Sequence, residues 1–218
     1  MSVVAAVLLS LLSPPFDSGL TALAQDKQDK VKITVDYSEV PDVKEWAEKA
    51  RDLCEKWYPI ISELLAGKDF TPPREVRLVF KDEKKGIAYT TGATITVVAD
   101  WIRKHPDDTG MVIHELTHVV QSYKKGVGWI TEGIADYVRN FKYEPKPSPP
   151  KVSPKASYKD GYKTAATFLA WIEKTKDNEI IRKLNGLMRT GGYKDELFQE
   201  WTGSDLDSLW KDFVASQG

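Results

Sequence analysis

Val31 to Tyr37 alternates apolar and polar side chains, the period-two pattern of a strand with one buried face. From Pro41 to Ala66 the period lengthens. Trp46, Ala50, Leu53, Cys54, Trp57, Ile61, Leu64 and Leu65 recur at helical spacing and predict a long amphipathic helix stopped by Gly67. Pro72-Pro73 predicts a turn and Glu75 to Phe80 a second strand. Gly86 to Tyr89 and Ala93 to Val98 predict two more strands, joined at Thr91-Gly92. Helical spacing returns at Met111 to Val120, where Met111, Val112, Leu116, Val119 and Val120 are apolar and Asp107, Asp108 and Thr109 offer N-terminal capping. A second helix, Trp129 to Val138, follows a turn at Gly126 and Gly128, with Thr131 or nearby backbone as its cap. Lys142 to Lys155 carries Pro145, Pro147, Pro149, Pro150 and Pro154, which predicts a stiff extended loop. Helices follow: one opened by Tyr158, Asp160 and Tyr162 and running through Phe168, Trp171 and Ile172, then Asn178 to Arg189, ended by Gly191-Gly192. Tyr193 to Trp201 reads as a short helix, and Ser204-Asp205 starts a last one that buries Leu206, Leu209, Trp210 and Phe213. A small sheet followed by helices predicts an α+β protein with one domain over residues 25–218.

Length and charge narrow the class. The chain has 218 residues, enough for one sizeable core, and a net charge of −1. Residues 1–24 hold one charged side chain, Asp17, so the rest balances at 31 basic and 31 acidic groups. Nothing in that balance asks for nucleic acid or an anionic membrane as partner. Val3 to Leu12 is a short apolar run, and Ala22-Leu23-Ala24 before Gln25 has the small-x-small form of a cleavage site. Residues 1–24 therefore read as an export signal, although no basic residue precedes the run, and the mature chain as secreted or periplasmic. The run is short for a bilayer span, and no cysteine lies near the cleavage site to carry a lipid anchor. The single cysteine, Cys54, excludes an intramolecular disulfide and falls in the apolar stripe of the first helix, as a core thiol does.

The candidate chemistry lies in Met111 to Val120, which contains His114-Glu115-Leu116-Thr117-His118. Two imidazoles four residues apart project from one helix face about one turn apart. That spacing lets both bind one tetrahedral Zn²⁺, with Glu115 placed as general base. By chance such a motif arises on the order of once in a hundred chains of this length or less. Two of the three histidines of the chain sit here, in a stretch too apolar to hold two imidazoles and a carboxylate cheaply without a metal.

A third protein ligand is needed. The extended form with a histidine six residues on fails, since Gln121 stands at its glycine and Lys124 at its histidine. Glu132 and Asp136, four apart on the next helix, offer acidic groups on one face. Glu132 reads as the ligand and Asp136 as the acceptor for the other ring nitrogen of a ligand histidine. The swapped assignment and a plain solvated face remain open. Tyr158 and Tyr162 are candidates to stabilise an oxyanion, against simple core packing for either. His105, before Pro106, reads as a surface histidine more readily than as an oxyanion donor.

His114-Glu115-Leu116-Thr117-His118-Val119-Val120-Gln121, with Gly128-Trp129-Ile130-Thr131-Glu132-Gly133-Ile134-Ala135-Asp136-Tyr137-Val138-Arg139, resembles the basic secretory protein family of plants and bacteria, a group of zincin-type peptidases. More broadly it is similar to gluzincins. A looser likeness runs from Val76 through Tyr158 to Tyr162 and Phe168 to Trp171, and so covers most of the mature chain. The resemblance implies a zincin-like domain with ligands His114, His118 and Glu132, base Glu115, a Zn²⁺ cofactor and a peptide or protein substrate. It also implies a sheet edge above the active-site helix that pairs with an extended peptide, a role for which Ala93 to Val98 is the candidate; a core strand reads equally well there. This chain departs from the family in not being basic. Two rivals stay open: a secreted zincin-fold binding or defence protein with little catalysis, and a zinc amidase acting on other amides.

Overall fold

Strand β1 (Lys32–Asp36) leads through a 3₁₀ turn at Pro41–Val43 into helix α1 (Lys44–Leu64), and the chain returns as β2 (Glu75–Lys81). β2 lies parallel to β1, with Ile33 opposite Val76 and Val35 opposite Leu78. Parallel strands need a long crossover, and α1 supplies it while burying Ala47, Ala50, Cys54, Tyr58 and Ile61. Cys54 is fully buried and burial pushes its thiol well up, so it behaves as a small core hydrophobe. The structure, a computed structural model, describes residues 31–67, 70–144, 152–153 and 155–217. The expected export signal over 1–24 and the prolines of the 142–155 loop lie outside the described residues.

β3 (Ala88–Thr91) and β4 (Thr94–Val98) complete a four-stranded sheet in the order β1-β2-β4-β3. The turn expected at Thr91-Gly92 is corrected, and the choice left open for Ala93 to Val98 falls to the core strand. The hairpin turns on Gly92-Ala93, with Gly92 at φ +59° and Thr91 paired to Thr94, so Thr91 is strand rather than turn. β4 is paired on both sides, parallel to β2 and antiparallel to β3, so Ala93 to Val98 is interior, and the sheet edge on this side is Ala88–Thr91, with β1 at the opposite edge. The burial pattern agrees: Ile95, Val97 and Val98 are buried, as suits an interior strand.

Helix α2 (Ala99–Lys104) continues directly from β4. Next come α3 (Gly110–Gln121) and α4 (Gly128–Tyr137), the latter running into a π-helical turn at Val138–Tyr143. After a 3₁₀ turn at Tyr158–Asp160 the chain forms α5 (Tyr162–Thr175), α6 (Ile180–Thr190), α7 (Leu197–Thr202) and α8 (Leu206–Ala215). The described residues thus form an α+β protein of one small sheet and eight α-helices. None of these helices is long and apolar enough to cross a membrane. The expected start of a helix at Tyr158 is corrected: Gly161, at φ +73°, breaks the 3₁₀ turn from α5.

Helix α3 is the centre of the packing. Every residue from Gly110 to Gln121 is buried except His118. A helix apolar nearly all round belongs inside, and α1, β3 and α4 surround this one. The N-terminal capping expected from Asp107, Asp108 and Thr109 is absent. Thr109 Oγ1 hydrogen-bonds the Tyr143 hydroxyl at 2.7 Å, and Asp108 is held by Arg139 at 2.7 Å and by the Trp101 indole N–H at 3.0 Å. Tertiary partners have taken the side chains that local capping would use. At the other end Arg189 of α6 donates to the carbonyls of Val120 (2.8 Å) and Gln121 (3.1 Å), and to Leu65 (2.8 Å) just past α1. One guanidinium so satisfies the last carbonyls of two helices. Thr131 does not cap α4 either, since its hydroxyl donates to the Val127 carbonyl at 3.1 Å.

α4 is held close to α5 by a glycine. A Cβ on Gly133 would stand 2.9 Å from the Ala165 Cβ and 3.2 Å from Leu169 Cδ1. Any larger side chain would overpack the crossing, at a cost of about 1–3 kcal/mol. The close contact fixes α4 so that Glu132 and Asp136 face α3.

Candidate metal centre

His114 and His118 leave one face of α3 a turn apart, and α4 brings Glu132 over them. Nε2 of His114 lies 3.1 Å from Nε2 of His118 and 3.2 Å from Glu132 Oε2, which is 3.5 Å from His118 Nε2. These are the only three residues among those described whose histidine, cysteine or carboxylate ligand atoms cluster in this way. A tetrahedron with arms of roughly 2.0–2.1 Å has edges of about 3.3–3.4 Å. The three donor atoms therefore span a triangle close in size to one face of such a tetrahedron.

The outer ring nitrogens explain why these atoms converge. His114 Nδ1 meets Asp136 Oδ1 at 2.7 Å, and His118 Nδ1 meets Gln121 Oε1 at 2.7 Å. The Gln121 amide is oriented by its own N–H, which donates to the Thr131 carbonyl at 3.0 Å. Both acceptors place the proton on Nδ1. Each Nε2 is then a bare lone pair, aimed at the other and at a carboxylate. Two lone pairs and an anion within 3.5 Å of one another repel unless a cation stands between them. The donor set fits a metal ion.

Without a metal, a proton takes up that charge. Burial by itself lowers the affinity of His114 for a proton, but hydrogen bonds to Asp136 and Glu132 outweigh it and hold the ring up at about 9. Burial likewise raises Glu132, and the bonds to His114 and His118 outweigh it, bringing the carboxyl down to about 2.

Glu115 follows His114 and is buried, with Oε2 accepting the Thr90 hydroxyl at 2.7 Å. A cavity of about 500 Å³ opens over the cluster, between the β3 edge at Ile87 to Thr90 and Tyr162, with Arg139 at its far side. A second cavity of about 510 Å³ lies beyond His118, towards Gly92 and Tyr123. Thr90, His118 and Glu132 line both.

The structure separates the two tyrosine candidates. Tyr162 is 58 % exposed, lines the first cavity and lays its ring nearly parallel to His114, with centroids 6.3 Å apart. The Glu132 carboxylate holds its phenol above the ordinary range. Its backbone sits at φ +46°, a left-handed position that a tyrosine occupies only at a cost. Tyr158 is not brought to the cleft. It is buried among Trp129, Phe168 and Trp210, and its hydroxyl donates to Asp207 at 3.1 Å. Burial and that carboxylate push it up to about 12, and its place in the structure is that of a core aromatic. His105 stacks on Trp101 at 4.0 Å and does not line the cleft.

Gln121 and Thr90 were not singled out as site residues from sequence. Gln121 carried a signal, as a polar side chain three residues after His118 in an apolar helix. Thr90 carried none, because its contact depends on how β3 docks on α3.

The described residues so define an α+β protein with a His-His-Glu cluster set in an open cleft. A family model described as a peptidase of plants and bacteria matches residues 42–213. The chain belongs to this family, the basic secretory protein family. No curated protein and no solved structure matches it.

Proposed function

We propose that the protein is a zinc-dependent peptidase with a zincin-like active site. The observation that carries this reading is the convergence of His114 Nε2, His118 Nε2 and Glu132 Oε2 with both Nδ1 atoms already engaged. These three residues would hold the ion, and Asp136 and Gln121 would fix the two rings. Bound there, zinc would make water a nucleophile near neutral pH and polarise the scissile carbonyl. Glu115 accepts the proton of the attacking water as its oxygen adds to the carbonyl carbon. It then gives that proton to the amine nitrogen as the C–N bond breaks. Tyr162, which lines the cavity with its ring nearly parallel to that of His114, would donate to the developing oxyanion.

The cleft favours a peptide. Four large hydrophobic side chains are exposed among the described residues, and Ile87, Tyr89 and Tyr162 all line the first cavity. Apolar side chains left in water at one cleft mark a binding surface. The free edge of β3 beside it offers main-chain groups to an extended substrate. Both features support a cleft open to an extended chain. Residues 1–24 add the proposal of export, on which the exported protein begins at Gln25.

The test is cleavage of an unfolded protein by the mature chain loaded with zinc. Hydrolysis should stop when a chelator strips the metal and return when zinc is restored. Hydrolysis that survives complete metal removal overturns the metal assignment. No cleavage by zinc-loaded protein transfers weight to a binding role.

A further inference from the structure

We infer that Thr90 is the positioning residue of the general base and ties it to the strand on which substrate docks. This rests on the peptidase reading above. Along β3 the side chains alternate: Ala88 and Thr90 are partly buried, and Tyr89 and Thr91 are exposed. The inward face of this short strand looks onto α3, and Thr90 Oγ1 lies 2.7 Å from Glu115 Oε2 and 3.1 Å from the Glu115 carbonyl. A hydroxyl has one proton to give, and the carboxylate is both nearer and the stronger acceptor.

Glu115 is buried, at 7 % exposure, and a carboxylate there needs a donor. Among the described residues, Thr90 is the side chain that donates to this carboxylate. The Thr90 bond occupies Oε2 and stops the carboxylate turning about its last torsion. Oε1 is left to take and return the proton. Thr90 itself is held by the sheet: it stands opposite Ile95 of β4, which is fully buried. The base is therefore referenced to the sheet as well as to its own helix.

The place of Thr90 makes that reference useful. It lines the cavities on both sides of the donor cluster, so a chain passing through the cleft crosses it. A peptide paired to the edge of β3 takes its register from this strand. The same residue then sets where the scissile bond lies and where the proton acceptor points. A threonine that only satisfied a buried carboxylate would be needed for folding but not for the timing of proton transfer.

The experiment compares wild type, Thr90→Val and Thr90→Ser, all zinc-loaded. Valine keeps the shape and removes the hydroxyl; serine restores the hydroxyl without the methyl. In Thr90→Val, kcat on a peptide should fall on the order of 10-fold to 100-fold. KM and zinc content should stay near wild type, as should the Kd for a reduced-amide peptide that cannot be cleaved. Thr90→Ser should recover most of kcat. An unchanged kcat in Thr90→Val overturns the inference alone, as does a Thr90→Ser variant as slow as Thr90→Val. A fall in zinc content or in reduced-amide binding that matches the fall in kcat also overturns it, because the residue would then be only structural. A wild type that cleaves nothing while binding the reduced-amide peptide sinks the peptidase reading, and this inference with it.

Discussion

Glu115→Gln should retain zinc and lose hydrolysis by a factor on the order of 10²–10⁴, the usual contribution of a positioned acid–base group. Glutamine keeps the size of the side chain and still accepts the Thr90 hydroxyl through its carbonyl oxygen, so the packing around α3 is preserved. What it cannot do is take a proton from water. Metal content and thermal stability are the controls, and both should match wild type. Tyr162→Phe, in the same assay, separates the second group. Tyr162 is exposed, so loss of its hydroxyl should leave folding and zinc content intact. A role at the oxyanion predicts a lower kcat, by roughly 10-fold or more. Full turnover in Glu115→Gln would refute the base assignment, and full turnover in Tyr162→Phe would leave the aromatic ring as a wall of the cleft only.

The sequence exposed the cluster because the geometry of an α-helix is local. The four-residue spacing from His114 to His118, and from Glu132 to Asp136, sets which side chains share a face whatever the rest of the chain does. The same locality made the extent of α3 readable to within a residue and the end of α1 to within two, while the start of α1 fell three residues past the expected Pro41, after a 3₁₀ turn. What depended on tertiary choice was not readable. Which of β3 and β4 lies at an edge could not be told, because Ala88 to Thr91 and Thr94 to Val98 both look like short strands, and only pairing decides which is flanked. The caps expected for α3 and α4 failed for a related reason. Thr109, Asp108 and Thr131 are good local cappers, but Tyr143, Arg139 and the Val127 carbonyl compete for them. Tyr158 and Tyr162 differ by four positions, yet Gly161 between them breaks the helix, so one enters the core and the other the cleft.

Metal binding by this cluster should release a proton and weaken steadily as pH falls. In the metal-free protein His114 titrates near 9, so at pH 7 the cluster carries a proton on the nitrogens that must face the ion. Below that value, each pH unit lost should reduce the apparent zinc affinity about tenfold, and titration in weakly buffered solution should show close to one proton released per zinc near pH 7. Glu132 does not contribute to this slope, because its carboxyl is held down at about 2 and is already ionised. The variants should divide by position. Glu132→Gln removes a charged donor and should lower zinc affinity most. Asp136→Asn and Gln121→Leu act through the Nδ1 atoms of His114 and His118, and each should cost roughly 10-fold to 100-fold. Asp136 Oδ1 stands at the Nδ1 of His114, away from the three converging donors, so the larger loss should fall on Glu132. The reverse order, with Asp136→Asn abolishing zinc binding and Glu132→Gln sparing it, would make Asp136 the third ligand and require α4 to turn so that its second carboxylate faces the histidines.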